Sequence, residues 1–309
     1  MSDNQIKGGQ TKCGVVAVIG APNASKSTLV NQLVGQKVAI TSAKAQTTRA
    51  RMMGIALHPD TDPDTQMILV DTPGIFAPKR RLDRAMVSAA WEGAEAADAV
   101  LLMVDPIKQR RHELEPLIEQ IAGRPERKIL VLNKVDRAKK EPLLALAQEL
   151  GEKADFTEIY FVSALTGDGV AEMKAALAAL MPEAPWMYPE DQVSDASERL
   201  LACEITREQL YKQLHEELPY DSAVRPEKYV ERQDGSVEIH QQIVVMRDNQ
   251  RAIVLGKGGS RIKEIGQAAR EELSELLGRK VHLFLHVKTD ERWSEDKEMF
   301  EEMGLDWVR

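Results

Sequence analysis

No apolar run in this sequence approaches the roughly 18 residues that a membrane-spanning helix needs, so an integral membrane protein is not expected. Met1 to Gln10 is polar and lacks the pattern of a secretory leader. Cysteine is nearly missing. Cys13 and Cys203 lie far apart, with no metal-type partner beside either, which excludes a disulfide framework and points to unpaired thiols in a reducing compartment. Repeats and low-complexity segments are absent. So is an excess of positive charge: the net charge is −8, which argues against a protein that binds nucleic acid by bulk cationic character.

What is present is enough apolar residue, 43%, to build real cores, in a chain of 309 residues that is long for a single one. Short apolar runs followed by helical patterns predict strands at Val15–Ile19, Met52–Leu57, Gln66–Val70, Ala99–Val104, Lys128–Leu132 and Ile159–Val162. Helices are expected at Ser27–Val34, Leu82–Ala96, His112–Ala122, Pro142–Lys153 and Val170–Leu180. This alternation is that of a doubly wound, mostly parallel α/β sheet. Pro182, Pro185 and Pro189 then predict a stiff linker. Beyond it the pattern changes to α+β: a helix over Ser194–Leu218, strands at Lys228–Arg232 and Val237–Arg247 turned at Asp234-Gly235, a short apolar piece Ile253–Leu255 before GKGG, a helix Arg261–Leu277, a strand Val281–Val287 and a last helix Trp293–Met303.

The stretch GAPNASKST follows a strand and opens a helix, as a phosphate-binding loop does. Lys26 would reach the β- and γ-phosphates, and the Ser27 hydroxyl would ligate Mg²⁺. The loop lacks one thing: its sixth position, where the pattern has glycine, is Ser25. A Cβ there costs about 1–3 kcal/mol if the backbone must turn left-handed, which predicts a weakened but working site. Three further pieces stand at strand ends. Asp71-Thr72-Pro73-Gly74 offers a carboxylate for magnesium and the Gly74 N–H for a γ-phosphate. In Asn133-Lys134-Val135-Asp136, a carboxylate can accept two hydrogen bonds from the edge of guanine, which adenine cannot supply, and the Lys134 stem would cover the base. After the last strand, Ser163-Ala164 places the Ala164 N–H for guanine O6. Each piece alone reads as an ordinary turn or a solvated charge pair; all four in order read as a GTP site. An ATPase is the rival that the Asn-Lys-Val-Asp stretch opposes.

In the second half the charge is uneven. Residues 191–309 carry 25 acids against 18 bases, yet Arg251, Lys257, Arg261, Lys263 and Arg270 cluster around Gly256-Lys257-Gly258-Gly259 with Glu264 as their one acid. A G-x-x-G loop between an apolar turn and a basic helix can clamp the backbone of single-stranded RNA. Ile253, Val254, Ile262 and Ile265 are expected to form the groove floor and the core beneath it. His282 and His286 share a strand face but lack a third ligand for a metal, and Trp186, Trp293 and Trp307 read as packing anchors.

With the segment GQKVAITSAKAQTTRARMMGI, these motifs resemble the bacterial Era GTPase family over essentially the whole chain. The resemblance implies a P-loop GTPase domain over 1–181, a proline-bearing linker over 182–193 and a type II KH domain with a C-terminal helix over 194–309. It makes AQTTR the first switch, with Thr48 as the magnesium ligand and Thr47 as its alternative, beside Ser27 and Asp71. Gly20, Asn23, Ala24, Ser25, Lys26, Ser27 and Thr28 become the phosphate-side contacts, and Asn23 a candidate potassium ligand. Ile75 stands where many GTPases have a water-orienting glutamine, so slow hydrolysis resting on Lys26, Thr48, Gly74 and Mg²⁺ is expected. The resemblance further implies GTP and GDP as ligands, RNA contacts from Arg251, Gly256, Lys257, Gly258, Gly259, Arg261 and Lys263, and single-stranded RNA near the 3′ end of the small-subunit rRNA, in the pre-30S particle, as the partner. Coupling by a shift of the KH domain about the linker is the expected route. The expected compartment is the cytoplasm; a contact with the inner membrane, seen for some of the family, would be peripheral. The alternative reading is an RNA-binding assembly protein whose nucleotide site Ser25 impairs.

Overall fold

Apolar runs bounded by turn residues become buried strands, and their ends fix where the loops must lie. The computed structural model describes residues 11–44, 46–58, 64–95, 97–109, 111–215 and 218–308. The chain clusters into two units. One comprises Met1–Val38, Met52–Thr72 and Trp91–Asp195; the other comprises Ala39–Arg51, Pro73–Ala90 and Ala196–Arg309.

The first unit holds β1 (Lys12–Gly20), β2 (Met52–His58), β3 (Thr65–Asp71), β4 (Ala99–Val104), β5 (Arg127–Leu132) and β6 (Phe156–Phe161) in the order β2-β3-β1-β4-β5-β6. Only β2 runs antiparallel, against β3; the other pairs are parallel. The helices are α1 (Lys26–Val34), α2 (Arg81–Glu95, of which the part through Ala90 clusters with the second unit), α3 (Arg111–Ala122), α4 (Lys140–Lys153) and α5 (Val170–Leu180). Leu29, Val30 and Leu33 of α1 and Met173 and Leu177 of α5 close over Val16, Val18, Leu69, Leu101 and Val131 to make one core. The boundaries read from sequence agree to within a few residues; Ala96 lies outside the described residues.

The proline-bearing stretch is bonded along this first unit. Cys13 N–H donates to Pro182 O (3.1 Å), Ala184 N–H to Thr11 O (3.0 Å) and Ile55 N–H to Val193 O (2.8 Å). Gln66, fully buried in β3, accepts from the Met187 and Tyr188 N–H groups (3.0 Å each) and donates to Tyr188 O (2.9 Å). One amide side chain thereby satisfies three backbone groups of a segment with no sheet partner of its own there.

The second unit contains α6 (Glu198–Gln213), β7 (Ser222–Glu231), β8 (Val237–Val245), α7 (Asp248–Leu255), α8 (Ser260–Leu276), β9 (Val281–Thr289) and α9 (Lys297–Glu302). Its sheet runs β7-β8-β9, antiparallel then parallel. Three expectations are corrected here. The strand expected at Lys228–Arg232 begins six residues earlier, because Pro226 is accommodated where the register slips between Pro226 and Lys228, a place a strand tolerates proline. The helix expected over Ser194–Leu218 is shorter at both ends: Ser197 caps it by accepting from Leu200 N–H, and Leu214 is extended. The last helix is two pieces, a 3₁₀ turn at Trp293–Glu295 and then α9, because Asp296 is extended (φ −95°, ψ 116°) and its side chain caps α9 at Glu298 N–H. Trp293 is buried among Leu82, Met86, Met299 and Phe300, as a packing anchor should be.

Gln66→Ala is expected to destabilise the protein by about 2–4 kcal/mol, since each lost hydrogen bond is worth about 1 kcal/mol and three backbone groups lose their partner. Urea denaturation read by tryptophan fluorescence checks it; a change under about 1 kcal/mol would show that the 182–194 stretch is held by other means.

Candidate functional site

Five loops follow the C-terminal ends of the parallel strands, where open α/β sheets hold their ligands. After β1 comes the loop 20–25. Gly20 has φ 150°, and a Cβ on it would lie 2.4 Å from Met103 O, so only glycine lets β1 pass β4 at this point. Asn23 and Ser25 both take left-handed backbone, with φ 65° and 70°. Ser25 nevertheless starts α1: Leu29 N–H donates to Ser25 O at 3.0 Å. The left-handed backbone at Ser25, and with it the strain expected of its Cβ, is therefore part of the fold.

Lys26 is buried at the head of α1, with Nζ donating to Gly20 O (3.2 Å) and Ala21 O (3.1 Å). Burial pushes its ammonium down to about 8, against the pull of the Asp71 charge. Ser27 Oγ donates to Asp71 Oδ2 at 2.6 Å, so the two expected magnesium ligands from α1 and the end of β3 meet. A hydroxyl and a buried carboxylate are the hard oxygen donors that Mg²⁺ takes, and the pair fits the ion. The following turn is anchored by Thr72 Oγ1, which donates to Val18 O (2.7 Å).

The base-reading loops are joined by Asn133, buried at the end of β5. Its Nδ2 donates to Ala24 O (2.8 Å), and its Oδ1 accepts the Ala164 N–H (2.9 Å). The Ala164 N–H, expected to serve guanine O6, thus supports Asn133 here. Ser163 is buried and accepts from Thr166 N–H (3.2 Å), building its own turn. Asp136, the expected base acceptor, is exposed. Lys134 has φ 64°, and its Nζ reaches both Asn23 O (3.1 Å) and Asp105 Oδ2 (2.6 Å).

Thr48 and Gly74 lie on segments that fold with the second unit. The first of these, residues 39–51, is fastened to α6 and the loop behind it. Thr41 N–H donates to Glu208 Oε1 (2.8 Å), Lys44 Nζ donates to the carbonyls of Tyr211 and Leu214, and Tyr211 Oη donates to Gln46 O (3.2 Å). Thr47 Oγ1 donates to Lys44 O (2.8 Å) and meets Ser42 Oγ (2.6 Å). The Thr47 hydroxyl is thus committed inside the loop. Arg49, 3% exposed, donates to Ser222 O (2.7 Å), Tyr220 O (3.0 Å), Pro219 O (3.2 Å) and Tyr211 Oη (3.2 Å). Sequence reasoning quoted this arginine and missed its role, because its acceptors come from some 170 residues away. The second segment, 73–90, buries Leu82, Ala85 and Met86 against Trp293 and Phe300.

The expected RNA loop lies between α7 and α8. Gly256 has φ 72°, and a Cβ there would lie 2.8 Å from Arg261 N, so glycine is required. Lys257 and Lys263 are exposed beside it, and Ile253 is 56% exposed, while Val254 and Ile265 are core residues and Ile262 packs on that core. Arg251 and Arg261 are also fastened to the fold, through Val287 O (3.2 Å) and Gln213 O (3.0 Å), so they brace the loop as well as charging it. His286 pairs with Glu227 (3.2 Å) and Gln242 (2.9 Å), and the described residues contain no cluster of metal-ligating side chains.

Known proteins place both halves. Residues 15–134 match the family described as 50S ribosome-binding GTPases, and residues 217–294 match the KH domain. The chain is 82% identical to GTPase Era of Erythrobacter litoralis over 97% of its own length and 98% of the relative's. It is 49% identical to GTPase Era of Caulobacter vibrioides over 99% of each. A point variant of Aquifex aeolicus Era, solved with GDP and AlF₄⁻, superposes with a TM-score of 0.89 at 38% identity, covering 95% of this chain and 99% of that one. An Era structure solved with MgGDPNP and nucleotides 1506–1542 of 16S ribosomal RNA matches equally well, with a TM-score of 0.89, 38% identity and the same coverage.

Wild type and Ser25→Gly are expected to bind GDP in the presence of Mg²⁺ within about fivefold of each other, because strain built into the fold does not enter the binding equilibrium. Titration calorimetry decides this; a glycine variant tighter by about a hundredfold would mean that the Cβ obstructs a phosphate.

Proposed function

The chain belongs to the Era GTPase family, and on that premise we propose that its nucleotide state controls the grip of the KH unit on single-stranded RNA near the 3′ end of the small-subunit rRNA, in the service of small-subunit assembly. The protein is a GTPase that binds GTP and GDP with Mg²⁺. The bound ion supplies charge neutralisation at the β- and γ-phosphate oxygens. Lys26 binds those oxygens from the head of α1. Asp136 reads the guanine edge while Lys134 covers the base. Thr48 and Gly74 respond to the γ-phosphate. With Ile75 after Gly74 there is no side-chain amide to orient water, so turnover is slow. The loop closes with Ser25 in place, and the impaired-site alternative gains no support. Potassium at Asn23 belongs to the proposal: its left-handed backbone turns the residue outward, where it is exposed.

The observation that carries this reading is that residues 39–51 and 73–90, which hold Thr48 and Gly74, are built into the same unit as the KH fold. Consecutive Cα atoms are 3.8 Å apart, so a movement of Thr48 is passed directly to Arg49 among its carbonyls. This favours the switch segments over the 182–193 stretch as the route, since that stretch is bonded to β1, β2 and β3. The description of the 15–134 match names the large subunit, but that match ends within the nucleotide unit. The small-subunit reading rests on the full-length relatives and on the RNA bound to one of them. No helix among the described residues is long and apolar enough to cross a membrane, and peripheral contact with the inner membrane rests on the family resemblance alone.

The test is fluorescence anisotropy of a single-stranded RNA from the 3′ end of the small-subunit rRNA, with a non-hydrolysable GTP analogue and with GDP. Wild type should show affinities at least about fivefold apart in the two states. Arg49→Lys keeps the charge but cannot fork to four oxygens, and should bring that ratio towards one. Lys257→Ala with Lys263→Ala should weaken both states alike. Equal affinities for wild type with either nucleotide would sink the coupling.

A further inference from the structure

Asp105 stands at the end of β4, one strand away from the Asn-Lys-Val-Asp loop, and belongs to none of the nucleotide motifs. It is 4% exposed. Its Oδ1 accepts the Ile107 N–H (2.9 Å) and the Lys108 N–H (3.1 Å), which fixes the carboxylate to the backbone of its own turn. Its Oδ2 accepts Lys134 Nζ at 2.6 Å. Burial opposes the charged form, but the hydrogen bonds from Lys134 and the two N–H groups outweigh it and hold the carboxyl below the usual carboxylate range. The other bond of the same ammonium goes to Asn23 O in the phosphate loop (3.1 Å).

A lysine with four rotatable bonds ordinarily samples many rotamers, and fixing it on binding costs affinity. Here the ammonium is fixed at its far end by two acceptors on two different loops, and its backbone is fixed at φ 64°. The aliphatic stem between these two points has little freedom left. We propose that Asp105 is a positioning residue for guanine nucleotides: it holds Lys134 extended, so that the stem lies ready as the cover of the base and its ammonium ties the base loop to the phosphate loop. Asp105 itself touches no nucleotide. It acts through Lys134, and the inference rests on the reading of Lys134 as the base-covering residue.

A double-mutant cycle separates the two ideas. The full-length protein is measured as wild type, Asp105→Asn, Lys134→Met and the double variant, reading the affinity and dissociation rate of a fluorescent GDP by stopped flow. Asparagine keeps an acceptor for the Ile107 N–H, so the turn should survive; if that variant does not fold, Asp105→Ser takes its place. Asp105→Asn alone should weaken GDP about three- to tenfold, the range that ordering one long side chain spans, mostly through faster release. In the Lys134→Met background the same change should cost less than about twofold. Full additivity, or no effect of Asp105→Asn in the wild-type background, overturns the positioning role. If Lys134→Met itself leaves GDP binding unchanged, the reading of Lys134 fails first, and the proposal with it.

Discussion

A single buried amide, Asn133, sets the geometry on which the nucleotide site depends. Its two polar atoms join the loop after β1 to the loop after β6, at 2.8 and 2.9 Å, from its own position after β5. A polar group this deep is costly unless both its donor and its acceptor are used. Both are, and each bond ties down a loop with no sheet partner of its own there. Lys134, the next residue, repeats the pattern with charge in place of an amide, and joins the loop after β4 to the loop after β1. Neighbouring residues on one turn thus tie four strand ends together. That is why the site can be read as a rigid receptor rather than as a set of loops awaiting a ligand.

The second unit uses the opposite device. Where the nucleotide loops are pinned to one another, residues 39–51 are pinned to elements from the far end of the chain. Arg49 is the centre of that contact, and its guanidinium meets carbonyl oxygens rather than a carboxylate. Such a cage keeps the positive charge and gives it direction, because the planar fork fits only acceptors placed around it. A segment held in this way moves as a piece or not at all, which is the behaviour that the proposed coupling to the RNA-binding unit requires.

Much of this was legible beforehand. Buried parallel strands are short apolar runs, and Ala99–Val104 and Val170–Leu180 have the bounds the pattern predicts. The four nucleotide motifs are local in sequence, so their place at strand ends could be read directly. What escaped was long-range or hidden by one residue. Pro226 masks the first half of β7, because a proline suggests the end of a strand unless a bulge is known to be there. Asp296 divides a helix that has no glycine or proline to announce the break. Arg49, Asp105 and Gln66 gain their meaning from partners 29 to 173 residues away. The left-handed turn at Ser25 was legible, because the phosphate-loop pattern has glycine at that position.

The bonds along 182–194 also govern how the molecule can be taken apart. A protease cut at the first proline would strip Thr11, Cys13 and Gln66 of their backbone partners, whereas a cut after Ser194 would leave those bonds in place, together with the one from its hydroxyl to Met53 O at 2.9 Å. Even a cut there would not yield a clean nucleotide-binding fragment. The N-terminal piece would keep Arg49, Leu82 and Met86 while losing the carbonyls, Trp293 and Phe300 that bury them. Such a fragment would carry a bare guanidinium and an open apolar surface, and self-association is the fate that surface predicts.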